Sequence, residues 1–390
     1  MLEIPIVLIG EKDHGKSTLI GRFLLNTKSI EESRIKEIQE IDRACEREFE
    51  LAHLVDSFKE EREKEMTIDT TQVLLKGKKR NYQLIDVPGH EELISQMLTG
   101  ASRGKVALLL VAIDEGIKKQ TIKHLEIAKL LGIKKIGVVL NKIDKVNYKK
   151  EIFEKLKKEI KEVLEKVGYL SRNIYFFPVS AKYGDNVIVK SKKTPWYEGK
   201  TLFEFLEKDL KEGENFENLP LRFLVQDKYF IDEKEVLVGK IESGKLKIGE
   251  RILFLPENEI AKVREIKEFE ENLKEAKASQ NVGLILDKNL KIERGSVGCF
   301  PDFPLKVLDF LEGEVFWIKN PKVNKKLIFE CGTKSTEGKI LEPKEILQNQ
   351  KTFFKAKLKE KIAFDPQSKT ILSKVVLKEK GKIIGVGNII

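Results

Sequence analysis

The chain has 390 residues, too many for one hydrophobic core, and 41% of them are apolar, so two or three packed domains are expected. Lys and Arg number 73 against 63 Asp and Glu, a formal charge of +10 that favours an acidic or nucleic-acid partner without requiring one. No apolar run approaches the roughly 20 residues that span a bilayer, and Met1 leads directly into an apolar strand with no cationic leader. Cys45, Cys299 and Cys331 form neither a metal-like cluster nor a disulfide framework, so a soluble cytoplasmic protein without membrane association is expected.

Ile4–Ile9 is the first predicted strand, and a helix begins at Lys16 after the turn Gly10-Glu-Lys-Asp-His-Gly15-Lys16-Ser17. In that position Gly10 and Gly15 let the backbone bend closely around phosphate with its N–H groups inward. The following helix directs its positive end at the same oxygens. Lys16 can bridge the β- and γ-phosphates, and Ser17 can ligand Mg²⁺. The expected phosphate-binding set is therefore Gly10, Asp13, His14, Gly15, Lys16, Ser17 and Thr18, with His14 supporting the loop's conformation.

Residues 31–64 are rich in Glu, Lys and Arg and predict helical material inserted ahead of Thr67. Thr67 is the candidate for a first switch: its hydroxyl can ligand Mg²⁺ while its backbone contacts the γ-phosphate, and loss of that phosphate would release it. Strands are predicted at 68–75 and 82–86, and the second ends in Asp86-Val-Pro-Gly89-His90. Asp86 is placed to hold magnesium directly or through water, and Gly89 can present its N–H to the γ-phosphate. His90 can orient the attacking water, which makes His90, Lys16 and Thr67 the catalytic candidates and Ser17, Thr67 and Asp86 the metal candidates.

Helices follow at 91–103, 118–131, 149–167 and 201–208, and strands at 105–113, 135–140 and 174–179. Strands alternating with helices predict a mostly parallel α/β sheet covered on both faces. Asn141-Lys142-Ile-Asp144 follows one strand and Ser180-Ala181-Lys182 the next. Asn141 can bind the O6/N7 edge of guanine, the Lys142 stem can cover the base, and Asp144 can accept from N1–H and the exocyclic amine. Ser180, Ala181 and Lys182 can complete the pocket through backbone contacts. Adenine would leave these polar groups unpaired, so the expected ligands are GTP or GDP with Mg²⁺.

Beyond about residue 212 the texture changes to short β-prone runs at 222–229, 236–242, 251–255, 260–268 and 281–286, which predict a small barrel. After a break near Pro301–Pro304, further runs at 305–310, 314–318, 326–331, 352–358, 371–377 and 382–390 predict a second. The expected architecture is an α/β P-loop GTPase domain (1–212) followed by two small β-barrel domains (213–301 and 302–390).

With these motifs in order, the sequence resembles the translational GTPase superfamily, including elongation factors Tu and 1A. It looks closer still to the GTPase subunit of bacterial sulfate adenylyltransferase. That likeness is carried by His53-Leu-Val-Asp56 through Arg62 to Thr67-Ile-Asp69, by Met97-Leu-Thr-Gly-Ala-Ser102 and Gln120-Thr-Ile-Lys-His124, and by Val225-Gln226 and Gly239-x-Ile-x-Ser-Gly244. Gly184-Asp-Asn186 and Thr194-Pro-Trp-Tyr197 resemble both the sulfate-activation and elongation-factor-1A branches. The resemblance implies a regulatory subunit whose GTP hydrolysis drives adenylyl sulfate formation from ATP and sulfate on a catalytic partner subunit. The alternatives are an elongation-factor-like GTPase binding aminoacyl-tRNA and the ribosome, or a regulatory GTPase of another enzyme. Three departures stand out: Asp13-His14, as translation factors often have it; Lys64-Glu65-Met66 ahead of Thr67; and Arg103-Gly104-Lys105, which lacks an acidic residue.

Overall fold

The computed structural model describes residues 3–44, 49–55, 72–86, 106–210, 216–231, 234–268, 271–319, 326–343, 345–366, 368 and 370–390. These residues form two compact units, Met1–Gly213 and Glu214–Ile390.

The first unit is built on a six-stranded sheet of β1 (Glu3–Ile9), β2 (Gln72–Lys76), β3 (Asn81–Asp86), β4 (Val106–Ala112), β5 (Lys135–Asn141) and β6 (Ile174–Pro178), ordered β2-β3-β1-β4-β5-β6. All pairings are parallel except that of β2, which joins β3 antiparallel at one margin. Strands buried on both faces must be apolar throughout, and every residue of β4 is buried. The helices include α1 (Lys16–Asn26), α2 (Glu32–Ala44), α3 (Lys119–Leu130), α4 (Lys150–Lys166) and α5 (Leu202–Asp209). Leu19 and Phe23 of α1 share a core with Ile6, Leu8 and Leu108 of the sheet and with Leu202 and Phe205 of α5. Along α4 the buried residues Phe153, Leu156, Ile160 and Leu164 recur every three or four positions, the stripe of a helix lying on a core. α5 starts at a capping box: Glu204 N–H donates to Thr201 Oγ1 (3.2 Å) and Thr201 N–H to Glu204 Oε2 (3.0 Å). At the far margin of the sheet, the Tyr197 hydroxyl donates to the Phe176 carbonyl of β6 at 3.0 Å.

Parallel order gathers the C-terminal ends of the strands along one edge, where open α/β sheets bind ligands. Register aligns Leu8 with Asp86, Ile9 with Leu109, and Ala112 with Asn141. The loops leaving β1, β4 and β5 therefore emerge side by side.

The second unit contains two closed barrels. β7 (Arg222–Ile231), β8 (Lys234–Ser243), β10 (Arg251–Leu255), β11 (Glu259–Glu268), β14 (Asn281–Leu286) and β15 (Val297–Cys299) close in the ring β10-β15-β7-β8-β14-β11. β12 (Glu271–Leu273) extends β11, while β9 (Lys245–Lys247) pairs with β13 (Glu275–Lys277). Phe223, Leu237, Ile252, Phe254 and Leu284 fill the interior. The second ring runs β16-β19-β18-β17-β20-β21, from β16 (Lys306–Trp317), β17 (Leu327–Cys331), β18 (Lys334–Glu342), β19 (Lys351–Phe364), β20 (Lys374–Glu379) and β21 (Lys382–Ile389). Its core holds Trp317, Phe329, Phe354 and Leu377. Leu224, Leu253, Val297 and Cys299 of the first barrel join Leu305, Ala363 and Leu372 in one apolar layer. Beside it, the buried Arg222 guanidinium meets Asp365 Oδ2 at 2.8 Å and donates to the Phe303 carbonyl at 2.9 Å.

The fold class is thus the one expected, with local differences. The runs expected separately at 305–310 and 314–318 are one strand, β16. Gly313 between them is no turn: a Cβ there would lie 2.0 Å from the Asn388 carbonyl, so glycine admits the close approach of β21. β18 was not expected at all; its inward positions include Thr336 and Gly338, which carry little apolar signal. The expected helix 91–103 lies outside the described residues, as does the first half of the expected strand 68–75, whose second half falls in β2.

Candidate functional site

The site begins where β1 ends. Gly10 leaves no room for a side chain, since a Cβ would stand 2.6 Å from the Leu110 carbonyl of β4. Asp13 (φ 66°) and Gly15 (φ 90°) take the left-handed conformation, which curls the loop over the N-terminus of α1. At Gly15 a Cβ would meet Asn141 Nδ2 at 2.3 Å. No side chain among the described residues caps α1, so its first N–H groups remain directed at the concavity of the loop. Lys16 Nζ donates to the Gly10 carbonyl at 2.7 Å and the Glu11 carbonyl at 3.0 Å, which holds its ammonium across the mouth of the loop. Ser17 and Thr18 follow on the first turn of α1, both partly exposed.

His14 is fully buried. Its Nδ1 lies 3.2 Å from the Leu110 carbonyl and its Nε2 3.5 Å from the Glu115 carboxylate. The ring pins the loop to β4 from beneath, and Glu115 is a partner that sequence reasoning had not singled out.

The loop after β5 meets the phosphate loop through one side chain. Asn141, 3% exposed, donates from Nδ2 to the His14 carbonyl at 2.9 Å and accepts at Oδ1 from Ala181 N–H at 3.0 Å. One amide therefore ties three loops together. Lys142 (φ 63°) turns the chain into a short 3₁₀ segment, Ile143–Val146, in which the Asp144 carboxylate accepts from Ser180 Oγ at 2.5 Å. Ser180 and Ala181 are buried while Lys182 is exposed. Arg22 of α1 holds this last loop from below, its Nε donating to the Ala181 carbonyl at 3.0 Å and its Nη2 to the Lys182 carbonyl. Burial lowers the Arg22 guanidinium below its ordinary value, opposed by the nearby Asp185 carboxylate. Nothing in its sequence position had flagged Arg22.

Asp86 ends β3, 7% exposed, in register with Leu8 two residues before Gly10. Ser17 and Asp86 carry hard oxygen donors of the kind taken by Mg²⁺, an ion that binds few protein groups alongside phosphate oxygens. Among the described residues no group of three or more His, Cys, Asp or Glu forms a metal cage of its own. Thr67, Gly89 and His90 lie outside the described residues.

Comparison with known proteins agrees with this geometry. Residues 3–212 match the family described as "Elongation factor Tu GTP binding domain", and residues 235–299 match "Elongation factor Tu domain 2". The chain belongs to the elongation factor Tu family of GTP-binding proteins. Within the wider family it is similar to elongation factor 1-alpha of Archaeoglobus fulgidus, 40% identical over 325 residues that cover 82% of this chain and 76% of that one. The same protein of Pyrococcus abyssi is 39% identical over 331 residues, with the same coverage. Elongation factor 1-alpha of Methanopyrus kandleri is 33% identical over 422 aligned positions, covering 98% of this chain and 96% of its own.

These findings overturn the likeness to the sulfate adenylyltransferase subunit. Similarity to elongation factor 1-alpha extends across most of the chain, whereas the sulfate-branch likeness rested on short phrases scattered between 53 and 244. The catalytic adenylyltransferase partner, the coupling to adenylyl sulfate and the nucleotidyltransferase role fall with it. A GTP-binding domain is present, and no helix among the described residues is long and apolar enough to cross a membrane.

Proposed function

We propose that this protein is an elongation-factor-like GTPase that binds aminoacyl-tRNA in its GTP form and hydrolyses GTP on the ribosome. The observation that carries the reading is the joining of the phosphate loop, the Asn141–Asp144 loop and the Ser180–Lys182 loop by the single Asn141 amide, in a chain similar over most of its length to elongation factor 1-alpha. In this reading the phosphates lie on the α1 N-terminus, and Lys16 turns from the Gly10 and Glu11 carbonyls to the β- and γ-phosphate oxygens. The second Nδ2 hydrogen of Asn141 donates to guanine N7. Asp144, oriented by Ser180, accepts from N1–H and the amine. Ser17, Thr67 and Asp86 would hold Mg²⁺, which when bound neutralises charge developing on the β- and γ-phosphate oxygens. His90 orients the attacking water, and Gly89 and Thr67 respond to the γ-phosphate.

The test is protection of the ester bond of aminoacyl-tRNA from spontaneous hydrolysis by protein loaded with a non-hydrolysable GTP analogue or with GDP. Strong protection by the GTP-analogue form alone, together with ribosome-stimulated GTP hydrolysis, is the expected result. Equal protection by the two forms, or none, would refute the proposal.

A further inference from the structure

The segment 183–197, which carries Gly184-Asp-Asn186 and Thr194-Pro-Trp-Tyr197, contains none of the expected nucleotide-binding residues, yet it touches both loops assigned to the base. On one side Asp185 forms an antiparallel bridge with Ser180, whose N–H donates to the Asp185 carbonyl at 3.2 Å. On the other side its carboxylate accepts at Oδ2 from the Tyr148 hydroxyl at 2.8 Å. Tyr148 closes the Asn141–Asp144 loop: its N–H donates to the Ile143 carbonyl at 3.0 Å, and the Asn147 N–H donates to the Asp144 carbonyl at 3.1 Å.

That loop is not a conformation the chain would hold by itself. Lys142, Asn147 and Tyr148 all have positive φ (63°, 53° and 57°), and none is glycine. Four contacts fix its far end. The Trp196 indole donates from Nε1 to the Tyr148 carbonyl at 3.0 Å, and Lys193 Nζ donates to the Tyr148 hydroxyl at 3.1 Å. The Lys193 ammonium also stands 4.9 Å from the centre of the Tyr148 ring. The fourth contact is the Asp185 carboxylate itself, whose other oxygen accepts from Ser191 Oγ at 2.6 Å. Asp185 is well covered, at 13% side-chain exposure, so its hydrogen bonds are poorly replaced by water.

We infer that Asp185 and Tyr148 are positioning residues for guanine recognition: by linking the Ser180 bridge to the far end of the Asn141–Asp144 loop, they set where the Asp144 carboxylate stands against the N1–H and amine edge of the base. The inference rests on the assignment of Asp144 as the guanine reader. A side chain that acts only through general stability would weaken every nucleotide alike. One that aims Asp144 weakens guanine most, because guanine presents two donors to that carboxylate and a base without the amine presents one.

The experiment compares affinities for GDP and inosine diphosphate, which lacks that amine and keeps everything else. Asp185→Asn removes the charge of the acceptor, and Tyr148→Phe removes only the hydroxyl. Each should lower the GDP-to-IDP preference about tenfold, the scale of one lost charge-assisted hydrogen bond, with IDP affinity falling less than GDP affinity. Asp144→Asn serves as the reference. If it keeps the wild-type GDP-to-IDP ratio, the assignment of Asp144 itself fails. If Asp144→Asn loses the ratio while Tyr148→Phe and Asp185→Asn retain it, the positioning role is overturned. Should Asp185→Asn fail to fold, Tyr148→Phe decides alone, since it keeps the ring and its packing.

Discussion

Replacing Asn141 with alanine separates the architecture of the site from its ligand. Asn141 is 3% exposed, and its amide makes two hydrogen bonds to backbone, to the His14 carbonyl at 2.9 Å and from the Ala181 N–H at 3.0 Å. Alanine leaves one buried carbonyl and one buried N–H without their partner, each costing about 1–3 kcal/mol. Taking the lower half of that range for both gives about 2–4 kcal/mol. For a domain of this size such a loss lowers the midpoint of thermal unfolding by about 4–16 °C. The measurement is calorimetric unfolding of nucleotide-free protein, so that base contacts do not enter. GDP affinity, measured on the same variant well below its transition, should fall further, because the phosphate loop and the Ser180–Lys182 loop lose their common tie. A nucleotide-free midpoint within about 1 °C of wild type would refute the reasoning, since it would mean that the amide does not join the loops in solution.

Two further outcomes follow from particular groups. His90→Ala should slow GTP hydrolysis about a hundredfold while GTP affinity stays close to wild type, as expected for a residue that orients water; equal single-turnover rates would remove it from the mechanism. Burial lowers the Lys374 ammonium in β20 from 10.5 to about 8. The unfolded chain therefore holds one more proton than the folded one between those values, and stability gains from this group as pH rises from about 8 to about 10.5. Lys374→Met should remove a slope of up to about 1.4 kcal/mol per pH unit across that window, and identical urea-denaturation slopes for the two proteins would count against it.

The nucleotide-binding unit is legible in the sequence because its physics is local. A doubly covered strand such as Val106–Ala112 must be apolar at every position, and a phosphate loop needs glycine where Cβ atoms would strike Leu110 and Asn141. The barrels are harder, because a closed ring accepts polar or small residues that its neighbours shield. Thr336 and Gly338 of β18 point inward with almost no apolar signature, and Gly313 imitates a turn while serving close strand contact. Within the candidate site, the residues proposed to meet the nucleotide stand in recognisable phrases. Of the residues that hold them, Arg22 and Tyr148 stand in no such phrase, and Arg22 reaches partners as far as 160 residues away. The functional direction was misjudged for a related reason: short phrases outweighed the Asp13-His14 pair, which already leaned toward translation factors.

The margins of the first-unit sheet bear on how the protein behaves among copies of itself. A strand at the edge of a sheet offers unpaired backbone groups to any passing chain, and that is a common start of aggregation. Among the described residues, both barrels of the second unit close on themselves and present no such margin along their rings. In the first unit β6 ends the sheet with three aromatic residues, Tyr175, Phe176 and Phe177, a composition well suited to recruiting another strand. The Tyr197 hydroxyl takes up the Phe176 carbonyl, and Pro178 ends the strand with a residue that has no N–H to give. Segment 183–197 thus also covers a carbonyl on the aromatic edge of this sheet, so its loss should be felt in solubility.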